Sequence, residues 1–219
     1  MTSVVQTEEM VETLRRPPRQ DRSEETVERI LGAAAELIEE KGPEKTTIAA
    51  IAARAGVQGG SVYHFFANRE AILGALVSRL YDEVDQTMLR ALPRDLKRLP
   101  WEKAVARLLD TAYDAYLKHP TYRRLFLGGL RRSESFDEIR TRSDQTFARS
   151  LCRYLEQQGV PRTNVLTVSR TAVRIGNTLL DSALETEDAS EHRAIRREAK
   201  RAICAYLASY IEPSNGERW

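Results

Sequence analysis

Gln58, Ser61, Tyr63 and His64 fall within one stretch of seven residues, with Thr47 ahead of them and Arg69 behind. These types at this spacing make no nucleophile–base pair and no metal shell. They do make a set of hydrogen-bonding groups suited to a DNA duplex. A glutamine can pair bidentately with an adenine edge, and a serine can donate or accept at several base edges, so Gln58 and Ser61 are candidates for reading sequence. Thr47, Tyr63, His64 and Arg69 are candidates for phosphate contacts, which fix a protein's register on the duplex without reading it. Tyrosine suits the task through its apolar body and polar tip.

The rest of the chain offers no competing chemistry. The other two histidines, His119 and His192, are scattered. No paired Cys or His spacing suggests a metal. No glycine-rich loop has phosphate-binding spacing. The expectation is therefore no enzyme, no cofactor and no metal. Bulk charge does not announce a nucleic-acid partner either. The 219 residues carry 34 Lys+Arg against 32 Asp+Glu, and residues 1–70 hold nine against twelve. A DNA-binding reading must rest on the local placement of a few groups. Cys152 and Cys204 each sit in an apolar helical pattern and read as buried free thiols of a reducing compartment, with a redox switch as the minor alternative. No apolar run is long enough to span a membrane and the N-terminus has no signal-peptide core, so a cytoplasmic protein is expected.

The elements that must position these groups run from Thr46 to Leu73. Ile48, Ile51 and Ala52 share one helical face, with Thr46 or Thr47 placed as cap. Gly56 ends that helix, since glycine accepts the left-handed conformation of a tight exit. A second short helix, from about Gln58 to His64, turns Val62 inward and leaves Gln58, Ser61, Tyr63 and His64 on other faces. Phe65 and Phe66 anchor it, and Asn68 can cap the next helix. Two short helices crossing at a fixed angle, with polar tips on the second, form the helix-turn-helix layout for the DNA major groove.

The ordered set I-A-x-x-A-G-V, G-S-V-Y-H-F-F and N-R-E-A-I-L resembles the DNA-binding domain of the TetR family of bacterial regulators, from about residue 22 to residue 80. The resemblance implies phosphate contacts from Tyr63 and His64, which match the family's aromatic pair, and from Arg69, which stands where its lysine usually does. Two positions depart from the pattern: Gln58 replaces the family's small capping residue, and Gly59 replaces a longer side chain and cannot reach a base. Gly59-Gly60 also weakens the start of the reading helix, by about 1 kcal/mol per glycine against alanine.

Apolar periodicity and breakers divide the chain into nine helices and an all-α fold. A mobile arm is expected over 1–21, carrying Arg15, Arg16, Arg19 and Pro17-Pro18. The helix-turn-helix domain spans 22–80, with helix four continuing as a rigid rod to about residue 91 before Pro93. A C-terminal domain follows over 81–213, then a tail over 214–219. Helix eight, about Thr163 to Leu184, is apolar around half its circumference, wider than packing on one neighbour needs. Paired with helix nine, it is expected to meet the same helices of a second subunit. Val168, Ala172, Ile175, Gly176, Leu179 and Ala183, with Ile195, Ile203, Tyr206 and Tyr210, are the expected dimer interface. The family resemblance implies the same dimer and a small-molecule effector in the C-terminal domain. Tyr113, Tyr116, Phe126, Phe147 and Tyr154 could line its apolar pocket. If the polar face of helix eight reaches it, Arg174 and Asn177 would favour an anionic or carbonyl-bearing ligand. The resulting expectation is a homodimeric repressor on a palindromic operator in double-stranded DNA, released by an effector, with no membrane partner. The alternatives are a transcriptional activator, or a helical small-molecule-binding or protein-interaction module without specific DNA binding.

Overall fold

The computed structural model describes residues 21–91, 99–128 and 134–211. The expected N-terminal arm ahead of residue 21 and the C-terminal tail lie outside the described residues. Within them are α1 (Asp21–Lys41), a 3-10 turn (Pro43–Lys45), α2 (Ile48–Ala55), α3 (Gly59–Phe65), α4 (Arg69–Ala91), α5 (Trp101–Leu117), α6 (Pro120–Leu127), α7 (Glu134–Gln157), α8 (Val165–Leu184) and α9 (Ala189–Leu207). No strand occurs among the described residues, so the chain is all-α as its periodicity implies.

The chain forms two compact units. The first gathers the described residues up to Glu83 and those within His119–Ile139. Its centre is the apolar stripe of α1, where Val27, Ile30, Leu31, Ala34, Leu37 and Ile38 are each at most 2% exposed. Ile51 of α2, Val62 of α3 and Phe66 beyond it are wholly buried in the same unit. Burying an aliphatic or aromatic side chain of this kind is worth about 1.5–3 kcal/mol, so this stripe gives the two short helices a stable surface to pack on. Arg54 of α2 pairs with Glu36 and Glu40 of α1 at 3.0 and 2.7 Å. Those pairs are exposed and orient the helices more than they stabilise them.

A domain ending at residue 80 does not describe this unit, because α6 and the first residues of α7 join it. Tyr122 and Phe126 of α6 and Phe136 of α7 are all 2% exposed. The Tyr81 and Tyr122 hydroxyls hydrogen-bond at 3.1 Å, and their rings meet edge to face at 5.8 Å. The Thr121 hydroxyl donates to Glu39 of α1. At the far end of α6 the chain passes so close to the 3-10 turn that a Cβ on Gly128 would lie 2.4 Å from Pro43 Cγ.

The second unit holds Val84–Lys118 and the described residues from Arg140 onward. In it α8 packs on α9 and on α5. Ser169 of α8 donates to the Ala148 carbonyl of α7 at 2.5 Å, and Arg140 of α7 pairs with Asp181 of α8 at 2.7 Å. Lys200 and Arg196 of α9 pair with Asp110 and Asp114 of α5, each at 2.7 Å. One helix, α4, begins in the first unit and ends in the second.

The expected dimer interface needs a correction here. Val168, Ala172, Gly176, Ala183 and Ile203 are buried inside their own chain. A Cβ on Gly176 would already meet Ile203 Cδ1 at 3.3 Å and Leu109 Cδ2 at 3.5 Å. The wide apolar stripe of α8 is explained by two neighbours of the same chain, so its width alone does not call for a second copy. Of the expected set, Ile175, Leu179, Ile195 and Tyr206 are half-buried and Tyr210 is exposed, so these five retain surface to offer.

Candidate nucleic-acid interface and internal cavity

The turn between α2 and α3 is fixed by local chemistry. The Thr47 hydroxyl, rather than that of Thr46, caps α2 by accepting from the Ala50 N–H at 3.2 Å. Thr46 is buried and donates to the Gly42 carbonyl at 2.9 Å. Gly56 takes φ 63° and ψ 37°. The Gly56 N–H reaches the Ala53 carbonyl at 3.3 Å, and the Val57 N–H reaches that of Ala52 at 3.0 Å. This pair of bonds is the Schellman closure of a helix. Arg29 of α1 completes it, its Nη2 donating to the Gly56 carbonyl at 2.9 Å and also to the Ala55 carbonyl. The last carbonyls of α2 thus meet a permanent cation, the charge a helix C-terminus prefers. Sequence reading missed Arg29, because nothing in the composition of α1 separates it from any other exposed arginine.

With the turn fixed, α3 presents its outer face. Val62 and Phe65 are buried, whereas Tyr63 is 51% exposed. His64 is exposed and stands edge-on to Phe65 at 4.9 Å. Gln58 precedes the helix, is exposed, and makes no side-chain cap. Ser61 is half-buried, and its N–H bonds to the Gln58 carbonyl at 2.9 Å. Open space surrounds the positions a Cβ would take on Gly59 and Gly60. Asn68 caps α4 through the Ala71 N–H at 2.8 Å. Arg69 is more constrained than its sequence position suggests: it donates to the Pro43 carbonyl at 2.7 Å and pairs with Glu70 at 3.1 Å. A phosphate at this position would compete with Glu70 for the guanidinium while the Pro43 carbonyl keeps it aimed. Thr47, Gln58, Tyr63, His64 and Arg69 therefore stand on or beside two short helices and the first turn of α4, joined by two capped turns within the first unit.

The second unit contains a cavity of about 100 Å³. Tyr113, Tyr116, Phe147, Tyr154 and Asn177, all expected at an effector site, line it. Phe126 does not: it lies in the first unit, its ring stacked on Tyr122 at 6.3 Å. Arg174 does not line it either and is exposed, so the expected preference for an anion loses its residue. Three residues expected at the dimer interface, Ala172, Gly176 and Ile203, are wall residues instead. The polar wall residues Asp85, Ser143 and Asp144 were not foreseen. A signal existed for two of them. Asp85 sits four residues after Tyr81 and three before Met88, and Asp144 three before Phe147, so each carboxylate interrupts an inward apolar stripe.

Ser143 donates to Asp85 at 2.8 Å, and the Asn177 amide donates to Asp144 at 2.6 Å. Burial raises the Asp144 carboxyl to about 6, against the pull of Arg140 and Arg174 and the hydrogen bond from Asn177. Burial likewise pushes the Tyr113 and Tyr154 hydroxyls up to about 12. For Asp144 the native state holds its proton to a higher pH than the unfolded chain does. Stability therefore falls as pH rises from the ordinary carboxylate range through about 6, and the full penalty is present above it. Asp144→Asn is expected to raise the melting temperature at pH 8, by a stabilisation on the order of 1–2 kcal/mol, and to change it little at pH 4. Equal shifts at both pH values in a thermal melt would contradict this account of the carboxylate.

Residues 30–76 match the family model for bacterial regulatory proteins of the tetR family, and residues 100–207 match that for a tetracyclin repressor-like C-terminal domain. A helix-turn-helix transcriptional repressor of Mycobacterium tuberculosis is 34% identical over 73 residues, which are 33% of this chain and 39% of that relative. The match thus spans less than half of the relative's length. A tetR-family transcriptional regulator from Streptomyces coelicolor shares the fold with a TM-score of 0.64 at 20% identity, over 86% of this chain and 84% of that one. So does a TetR variant from Acinetobacter baumannii solved with minocycline, with a TM-score of 0.56 at 21% identity over 82% and 93% of the two chains.

Proposed function

Because the chain belongs to the TetR family of bacterial regulatory proteins, we propose that it is a cytoplasmic DNA-binding regulator of transcription, not an enzyme, acting as a homodimeric repressor on a near-palindromic operator. The observation that carries this reading is the construction of α3. Val62 and Phe65 hold it by their burial while Tyr63 and His64, with Gln58 just ahead, face outward. A helix held on one side and polar on the other is what entry into a major groove requires. In this reading Thr47, Tyr63, His64 and Arg69 take phosphates, and Gln58 and Ser61 meet base edges. The dimer brings two copies of α3 about 34–36 Å apart, one turn of DNA, or a multiple of that.

The cavity of the second unit serves as the effector site. Its occupancy favours a subunit geometry whose two reading helices no longer match the operator. The coupling is a difference in effector affinity between the two states. Continuity of α4 through both units supports that helix as the lever. The minocycline complex of the TetR variant supports an organic small molecule as the ligand class.

Selection of bound fragments from random duplexes tests this function. An inverted repeat, bound well above non-specific DNA at physiological salt, is the expected result. Weak, salt-quenched binding with no recovered sequence would reject it and leave a ligand-binding helical protein.

A further inference from the structure

The cavity described above has a one-sided chemistry. Four aromatic side chains, Tyr113, Tyr116, Phe147 and Tyr154, contribute to its walls. The acidic side chains among its described wall residues are Asp85 and Asp144, and no Lys, Arg or His lines the wall itself, the Arg196 guanidinium standing over the Tyr113 ring at 5.1 Å from its centroid. Of the two arginines that act on Asp144, Arg140 is paired with Asp181 at 2.7 Å and Arg174 is exposed. Tyr113 and Tyr154 are 1% and 5% exposed, and their hydroxyls have no hydrogen-bond partner. Buried polar groups without partners carry a desolvation penalty that a bound polar ligand group can relieve.

We propose that the cavity binds a small organic cation, an ammonium group on a compact apolar body, with Asp144 as its counter-ion. The proposal deepens the effector-site reading and rests on it. The three ligand charges fare differently here. An anion would add to two carboxylates in a low-dielectric enclosure. A neutral ligand would fill the space and exclude water from Asp144 while adding nothing to the partial compensation by Arg140, Arg174 and Asn177. A cation neutralises Asp144 and is attracted by the faces of the aromatic wall rings. Size limits the body. An apolar cavity of about 150 Å³ accepts a benzene ring, so the roughly 100 Å³ here fits a compact ligand and not an extended one.

Protonation of Asp144 competes with the cation. The groups that act on it are Arg140 on its own helix and Arg174, Asn177 and Asp181 on α8; Asp85 of α4 shares the cavity wall. Cation affinity therefore rises as pH passes upward through about 6 and then levels, while the affinity of a neutral ligand stays flat.

The test is a calorimetric titration of the full-length protein with isopropylammonium, isopropanol and acetate, which are of closely similar small size and differ in charge. It is run at pH 7.5 and pH 5, on wild type and on Asp144→Asn. The expected result at pH 7.5 is isopropylammonium bound about tenfold or more tighter than isopropanol, with acetate weakest. The preference should shrink at pH 5 and fall to within about twofold in Asp144→Asn. Isopropanol or acetate binding as well as the cation would overturn the proposal and leave the cavity an effector site of another class. Binding of none of the three up to millimolar concentration would overturn it together with the effector reading. The operator selection, which needs no ligand, is untouched by either failure.

Discussion

Leu179→Asp is expected to yield a folded monomer that binds a two-half-site operator about a hundredfold or more weaker than wild type, because tethering of two binding heads contributes about 10²–10⁴ in affinity. The choice of position follows from where α8 faces. Leu179 is half-buried within one chain and retains apolar surface, one turn beyond the half-buried Ile175. A carboxylate there is harmless in water. At an interface between two copies it would lie beside its own symmetry mate, since a two-fold contact presents the same patch from both sides. Desolvating that pair without a partner is strongly unfavourable. Gly176→Asp is the uninformative alternative. Its side chain would enter the space held by Ile203 and Leu109, so unfolding and dissociation would look alike. Sedimentation would give the mass, circular dichroism the helicity, and a titration the loss of operator affinity. A stable Leu179→Asp dimer with native operator affinity would remove this face of α8 from the interface.

Gly56→Val has the second-largest expected effect, and it should fall on the first unit alone. The residue sits at φ 63°. That left-handed conformation costs an ordinary residue about 1–2 kcal/mol, and a β-branched one fits it worse. A Cβ would also stand 3.0 Å from Arg29 Nη2, the atom that closes the end of α2. Losing a hydrogen bond from a charged donor is worth about 1.5–3 kcal/mol, so the combined change is large for so small a core. We expect operator binding to be lost while ligand binding in the cavity persists. Arg29→Ala, which removes the donor and leaves the glycine, should give a milder loss in the same direction. Full operator affinity in Gly56→Val would mean that the angle between α2 and α3 is not set by this turn.

Both predictions lie at the border of what sequence makes legible. The turn could be read because its causes are local. Gly56 needs a left-handed exit, Asn68 sits one residue before a helix, and Val62 faces inward at the right spacing. Each signal spans a few residues. Arg29 could not be read, since its partners lie 26 and 27 residues away and its type is common on exposed helix faces. The same limit hid the membership of α6 in the first unit, where Thr121 meets Glu39 and Tyr122 meets Tyr81. On α8, burial by a neighbouring helix of the same chain and burial by a second copy leave identical apolar positions in the sequence. Val168 and Leu179 were therefore indistinguishable until the packing was seen. Aromatic spacing has the same ambiguity, which is how Phe126 and Phe147 came to be grouped although they lie in different units. Asp85 and Asp144 are the opposite case. A carboxylate on an apolar stripe is visible without coordinates, because such a group is rarely buried unless something compensates it.

The central claim is that two copies of α3 read DNA together, one helical turn or a multiple of it apart. Its most direct test takes the duplex recovered by selection and inserts about five base pairs, half a turn, between the half-sites. Two protomers are expected on the original duplex and a collapse to non-specific affinity on the lengthened one, with partial recovery when about ten pairs are inserted. Equal affinity for the original and half-turn duplexes would contradict it, because heads held at a fixed separation cannot follow half-sites turned to opposite faces of the helix.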